Sequence, residues 1–431
     1  MDTQYIVTTP AKALGASHRW KVLTVGVAAN AGFSAAAAGI PTTAVWMRTG
    51  YHFDNAQLGV ALGATGLGIA LSELPWGLAT DRFGDRPVLI AGLLGTALAL
   101  LSMALFVVPS AASIPPLPLL AAAMAWVGLL GGSVNGSSGR AIMSWFKEGE
   151  RGIAMSIRQT AVPLGGGIGA SLLPWLASTH GFAAVYGALA LLCAVPAAFA
   201  MRWLHEPPDM AASATTSATT SATTSAGSGS RPAAKTGASA HSSPLRDMQI
   251  WRVALGIGVL CMPQFAILTF ATVFLHDFGR LGTAGISATM AAVQIGAMVM
   301  RVWSGRHTDR RGNRRGYLRG STIVAAASFA ALAGAVALGH AAPIASIIGL
   351  IVFAGICVSA WHGVAYAELA SLAGPARAGT ALGMANTIVY VGLFLVPLSL
   401  PHLLAASSWA MVWCVAGCVA LGVYPLFPRA R

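Results

Sequence analysis

Charge is scarce in this chain. Only 9% of its 431 residues are Asp, Glu, Lys or Arg, against roughly 25% in an ordinary soluble protein. Acid is scarcer than base, with 13 Asp and Glu beside 26 Lys and Arg. So few charges cannot cover a water-exposed surface of this size. Metal and disulfide signals are missing too. The five cysteines, Cys193, Cys261, Cys357, Cys414 and Cys418, all lie inside apolar runs and form no CxxC pair. That spacing argues against a zinc site or a disulfide framework. Cys414 and Cys418, one helical turn apart, read as packing residues. No P-loop is present, and no Ser/His/Asp set stands at useful spacing. The cluster Gly165-Gly166-Gly167-Ile168-Gly169 sits inside an apolar run, so it is not a dinucleotide loop. The reading is therefore not an enzyme, with no cofactor and no metal. The formal net charge is +13, but the basic residues are scattered over short loops. A nucleic-acid surface would gather them on one soluble face.

Apolar sequence fills the space that charge leaves. Hydrophobic residues make up 56% of the chain, and mean hydropathy is +0.69. A bilayer core takes about 20 apolar residues per helix. Twelve such runs are present, at about 22–46, 57–79, 87–108, 118–143, 153–176, 182–203, 250–275, 284–304, 319–339, 343–367, 379–403 and 408–427. With the N-terminus inside, the outward loops hold only Arg48 and Arg280. The positive-inside rule then puts both termini in the cytoplasm. Residues 205–248 carry three SATT units followed by Gly, Ser, Pro and Ala. That composition cannot bury a core, so it reads as a disordered cytoplasmic linker. The expected architecture is all-α and integral to the membrane. Twelve transmembrane helices form two pseudo-symmetric six-helix bundles, residues 1–204 and 249–431, with both termini cytoplasmic.

A ten-residue pattern, G-x-x-x-D-R-x-G-x-R, occurs once in each half. It reads Gly77-Leu78-Ala79-Thr80-Asp81-Arg82-Phe83-Gly84-Asp85-Arg86 and then Gly305-Arg306-His307-Thr308-Asp309-Arg310-Arg311-Gly312-Asn313-Arg314. The copies lie about half the chain apart, each between two apolar runs. A second echo, Ala154 to Thr160 against Ala381 to Thr387, has nearly the same offset. Gly77 and Gly305 would let helices approach closely, and Gly84 and Gly312 would allow a sharp turn. Asp81 and Asp309 can face the positive N-terminal end of a neighbouring helix.

With twelve spans, a long middle loop and this turn between spans two and three, the chain resembles the major facilitator superfamily. The resemblance covers essentially the whole chain. It implies two bundles that rock about a central site and open it alternately to each side. It also implies that Asp81 meets the start of span eleven near Gly379-Thr380. Asp309 would likewise meet the start of span five near Gly152-Ile153. Both contacts would latch the cytoplasmic side shut in the outward-facing state. The gating set is then Gly77, Asp81, Arg82, Gly84, Arg86, Gly305, Asp309, Arg310, Gly312 and Arg314. Glu73 and Arg301, each four residues before a signature glycine, join it. Asp85 and Asn313 depart from the family pattern, which has a basic residue there.

Ionisable groups inside spans are expensive, and usually functional. Arg140 in span four and Arg158 in span five are the candidates for binding an anion, since guanidinium forks pair with carboxylates bidentately. Other candidates for the solute surface are Gln159, Asn30, Gln264, Gln294, Trp361, His362, Tyr366, Asn386 and Tyr390. His362 is also a candidate carrier of a coupling proton. The entry to span five, Trp145-Phe146 through Arg151 to Ala154, resembles that of the monocarboxylate, oxalate/formate and cyanate-type porters. The expected function is secondary active transport of a small, carboxylate-type organic anion. The alternatives are a proton-driven exporter of hydrophobic or amphiphilic compounds, and a non-transporting solute sensor. The expected setting is a monomer in a bacterial inner membrane. Its partners would be the lipid bilayer, the anionic solute and a coupling proton, and not nucleic acid.

Overall fold

In the computed structural model, the described residues are 17–110, 113–146, 150–205, 244–373 and 378–429. Most of the linker lies outside them. Among the described residues, sixteen α-helices follow in chain order. In the first half they are α1 (His18–Ala37), α2 (Ala44–Gly50), α3 (Asn55–Phe83), α4 (Asp85–Phe106), α5 (Leu117–Gly131), α6 (Ser133–Trp145), α7 (Arg151–Gln159), α8 (Ala161–Thr179) and α9 (Gly181–Trp203). In the second half they are α10 (Met248–Asp277), α11 (Thr283–Arg311), α12 (Arg314–Ala337), α13 (Ile344–Cys357), α14 (His362–Ala373), α15 (Ala378–Ala406) and α16 (Trp409–Gly422). Among the described residues, eleven helical stretches are long and apolar enough to cross a membrane. The twelfth apolar run gives only the 14-residue α16.

The two halves meet along two seams, α3 against α15 and α8 against α11. Glycine makes the first seam close. A Cβ added at Gly59 would lie 2.0 Å from the Pro397 carbonyl oxygen, and one at Gly66 would lie 2.8 Å from the Leu393 carbonyl carbon. In the second seam a Cβ at Gly166 would lie 2.3 Å from Gln294 Nε2. Gly77 and Gly305 do not serve as the expected points of approach. A Cβ at either would meet open space in this conformation.

Both signature turns contain a glycine at positive φ, Gly84 at 87° and Gly312 at 61°. That region strains an L side chain. The two departures from the family pattern have different explanations. Asn313 caps α12, its Oδ1 accepting the Gly316 N–H at 3.1 Å. Asp85 places Oδ1 3.4 Å from Arg140 Nε.

Four spans are interrupted rather than continuous. Span one breaks into a 3-10 turn at Ile40–Thr43 between α1 and α2. The Gly39 carbonyl there accepts from Thr42 Oγ1 at 2.6 Å, and the Ile40 carbonyl accepts from Thr43 Oγ1 at 2.7 Å. Span four breaks at Gly132, and span five at Thr160. Span ten breaks over residues 358–361. Irregular backbone inside a membrane protein is tolerated where other protein groups satisfy it or where it lines a cavity.

Candidate functional site

The breaks in spans four, five and ten bring most of the candidate residues together. In span five, Pro163 has no N–H, so the Gln159 carbonyl loses its helical donor. That carbonyl accepts instead from Arg301 Nη1 of α11, in the other half, at 3.4 Å. In span ten, the Ser359 carbonyl accepts from Arg301 Nε at 3.3 Å. The neighbouring Ala360 carbonyl accepts from Ser304 Oγ at 2.6 Å. One arginine thus stitches two broken spans belonging to different halves.

Arg158 lies in the last turn of α7 and is buried, 6% exposed. Its Nη2 donates to the Asn135 carbonyl at 2.6 Å, and its Nε to Ser138 Oγ at 3.1 Å. The guanidinium lies over Gly139, where an added Cβ would stand 3.7 Å from Cζ. Ser138 Oγ also accepts from Asn30 Nδ2 at 2.7 Å. Spans one, four and five therefore share one buried polar knot.

Glu73 of α3 bonds across to the second half. Its Oε1 accepts from Asn386 Nδ2 of α15 at 3.1 Å, and Asn386 Oδ1 accepts from Tyr366 Oη at 2.8 Å. Asn135 Nδ2 donates to Tyr390 Oη at 2.5 Å, again across the two halves. Glu73 and Arg301 hold matching positions before the two signature glycines, and both bond to the opposite half. The sequence reading set them with the gate; the structure adds them to the central group.

Among the described residues, buried Glu73 Oε2 and Trp361 Nε1 make no hydrogen bond. His362 stacks on Trp361 with ring centroids 4.1 Å apart. Its Nε2 lies 3.6 Å from Cys261 Sγ. Gln264 Nε2 donates to Ser359 Oγ at 2.9 Å. Gln294 is buried against Gly166 and Gly167 in the α8–α11 seam.

Arg140 has a different position from the one expected. Its Nη1 donates to the Thr80 carbonyl, and its Nε approaches Asp85, so it is engaged with the first signature turn. Arg86 of the same turn donates to the Met201 carbonyl at 2.8 Å. Arg314 Nη2 pairs with Asp309 at 2.8 Å within the second turn. The Asp309 side chain is 65% exposed there. The Asp81 side chain, and the span starts at Gly152-Ile153 and Gly379, lie outside what the structure describes.

Sequence reasoning missed one contact altogether. Arg48, at the end of span one, grips Asp277, at the end of span seven, with two bonds of 2.6 Å. This bidentate pair joins the halves at the end opposite the signature turns. The available signal was the rarity of charge there.

The sequence model of the Major Facilitator Superfamily matches residues 26–397. The chain belongs to this superfamily. It is a multi-pass membrane transporter and not an enzyme. An uncharacterized MFS-type transporter of Mycobacterium tuberculosis is 26% identical over 417 residues, covering 96% of this chain and 86% of the relative. A glycerol-3-phosphate transporter of Haemophilus influenzae is 33% identical over 170 residues, which is 35% of this chain and 34% of that protein. Among solved structures, a D-xylose-proton symporter superposes with a TM-score of 0.74 at 16% identity, covering 95% of this chain and 98% of the other. The xylose transporter XylE from E. coli, in an inward-open conformation, gives 0.72 at 15% identity, covering 96% and 97%. These likenesses establish the superfamily fold. The interrupted spans and cross-half bonds described above belong to a protein of that fold.

Proposed function

We propose that this superfamily member is a secondary transporter of a small organic anion of carboxylate or related type, working by alternating access. The observation that carries this reading is the charge balance of the central group. It holds two guanidiniums, Arg158 and Arg301, and one carboxylate, Glu73. The two arginines come from opposite halves, and both are held by backbone carbonyls rather than by acids. Carbonyls orient a guanidinium without neutralising it. An excess positive charge held inside a membrane protein is costly until an anion arrives. A bound carboxylate would offer both arginines charge-assisted bonds. The anion would draw the halves together about itself, which is how a solute can bias a two-state equilibrium. The glycerol-3-phosphate transporter among the relatives is named for an organic anion, and so supports the same class. In this reading Arg140 serves the turn, and Glu73, with one unpartnered oxygen, takes the place of His362 as the candidate proton carrier.

The test is a thermal-shift screen of purified protein against mono- and dicarboxylates, organic phosphates, neutral sugars and cationic drugs. A ligand selective for the folded state raises its melting temperature. The expected result is protection by anions that disappears in Arg158→Ala. Counterflow of the protecting anion in proteoliposomes should fall with it. Removing one partner from a buried charge network costs about 3–5 kcal/mol, so the loss should be on the order of a hundredfold or more. Protection by a neutral sugar or a cationic drug, undiminished in Arg158→Ala, would overturn the assignment.

A further inference from the structure

A second basic site lies outside the transport pathway, on the second half at the turn-bearing end. There the start of α10, the start of α12 and the chain following α16 enclose a cavity of about 540 Å³. Its walls carry Arg252, Arg315, Arg319 and Arg429, together with Gln249 and Phe427. Among the described residues, no Asp or Glu lines it. Three of the four guanidiniums have described partners. Arg315 Nε bonds Glu368 at 2.7 Å. Arg252 Nη2 donates to the Pro425 carbonyl at 2.6 Å. Arg319 stacks its guanidinium 4.2 Å above the Tyr424 ring. Its Nε is nevertheless buried without a hydrogen-bond partner. Among the described residues only Arg315 is paired with an acid, so Arg252, Arg319 and Arg429 bring net positive charge to the cavity.

We infer that this cavity binds a phosphate group, presented by an anionic phospholipid headgroup at the membrane surface. Guanidinium forks suit phosphate oxygens better than a point charge does. Basic pockets between the ends of transmembrane helices are suited to anionic headgroups. The walls also fit a lipid, because Leu426, Phe427 and the Tyr424 ring stand beside the arginines. A soluble phosphate compound would use the same donors, so the source must be separated by experiment.

The experiment titrates full-length, detergent-solubilised protein with phosphatidylglycerol, phosphatidylcholine or inorganic phosphate, reading the thermal shift. Each arginine near a membrane surface contributes about a fivefold change in anionic-lipid affinity. Phosphatidylglycerol should protect and phosphatidylcholine should not. In the double variant Arg252→Gln and Arg319→Gln, the phosphatidylglycerol affinity should fall about 25-fold. Arg158→Ala should retain it in full, which separates this site from the transport site. Protection by inorganic phosphate equal to that by the lipid, and lost in the same double variant, would keep the phosphate site and assign it a soluble source. Equal protection by both lipids, or a double variant that binds phosphatidylglycerol as wild type does, would overturn the inference. If the double variant does not fold, Arg429→Gln, on an exposed side chain, replaces it with an expected loss of about fivefold.

Discussion

Among the described residues, an ion pair joins the first and second halves at the end away from the signature turns, whereas the ion pairs at the turn-bearing end each lie within one half. Arg48 and Asp277 cross between the halves with two bonds of 2.6 Å. The nearby glycines of α3 let the backbone of α15 approach within what a side chain would forbid. At the other end, Arg140 meets Asp85, Arg19 meets Glu150, Arg314 meets Asp309 and Arg315 meets Glu368, every pair within one half. Gly77 and Gly305 have nothing across from them. Bonds within a half survive when the halves rock, whereas bonds between halves must be exchanged. The Arg48–Asp277 pair, together with the cross-half bonds of the central group, therefore bears on which conformation prevails.

The strongest break of this comparison is a covalent one. Cysteines at positions 48 and 277, in an otherwise cysteine-free chain, joined by a cleavable bismaleimide, should stop transport altogether. Flux in proteoliposomes should return when the linker is cleaved. Full flux through the tethered protein would show that this end need not open.

Overpacking the seam should act next. A Cβ at Gly59 would strike the Pro397 carbonyl, and backbone cannot yield as a flexible side chain does. Gly59→Ala should cost about 1–3 kcal/mol of seam stability. Spin labels placed on span ends of the two halves should move apart at this end, with the melting temperature lowered. Unchanged distances would remove the close seam from the account.

Breaking the ion pair should be milder, because Arg48 and Asp277 are only half-buried and water can solvate the partner left behind. Asp277→Asn should shift the balance toward the form open at this end by about 1 kcal/mol, roughly fivefold in population. The same label distances report it. The exchange of Arg48→Asp with Asp277→Arg should restore part of the shift, as a removed and rebuilt pair does in a double-mutant cycle.

The spans were legible because the apolar runs are long and charge is rare in them. Arg158 was legible for the same reason, since an arginine deep in such a run needs a purpose. Depth along a helix does not say which neighbour a side chain meets. Arg140 looked like a companion of Arg158, yet it is held by Thr80 and Asp85 on the turn. Arg301 looked like a gate residue, yet the carbonyls it holds belong to two broken spans. Those breaks were only half visible. Pro163 announces a missing N–H, but not that Arg301 uses the carbonyl it frees. The Arg48–Asp277 bridge depends on how two distant span ends align, which no local pattern records.

The smallest effect should come from the turn-bearing end, and it sharpens the comparison by its locality. Asn313 stands where the superfamily pattern has a basic residue, and it caps α12 through the Gly316 N–H. Loss of an Asn cap costs about 1 kcal/mol. Asn313→Ala should therefore lower the melting temperature slightly. It should leave the label distances at both ends unchanged, because the bond it removes lies wholly within one half. A basic substitution, Asn313→Arg, would lose the same cap while restoring the family's charge. If that variant instead shifted the distances, the turn would be acting across the halves through its charge. The division between a cross-bonded end and a self-bonded end would then fail at the turn itself.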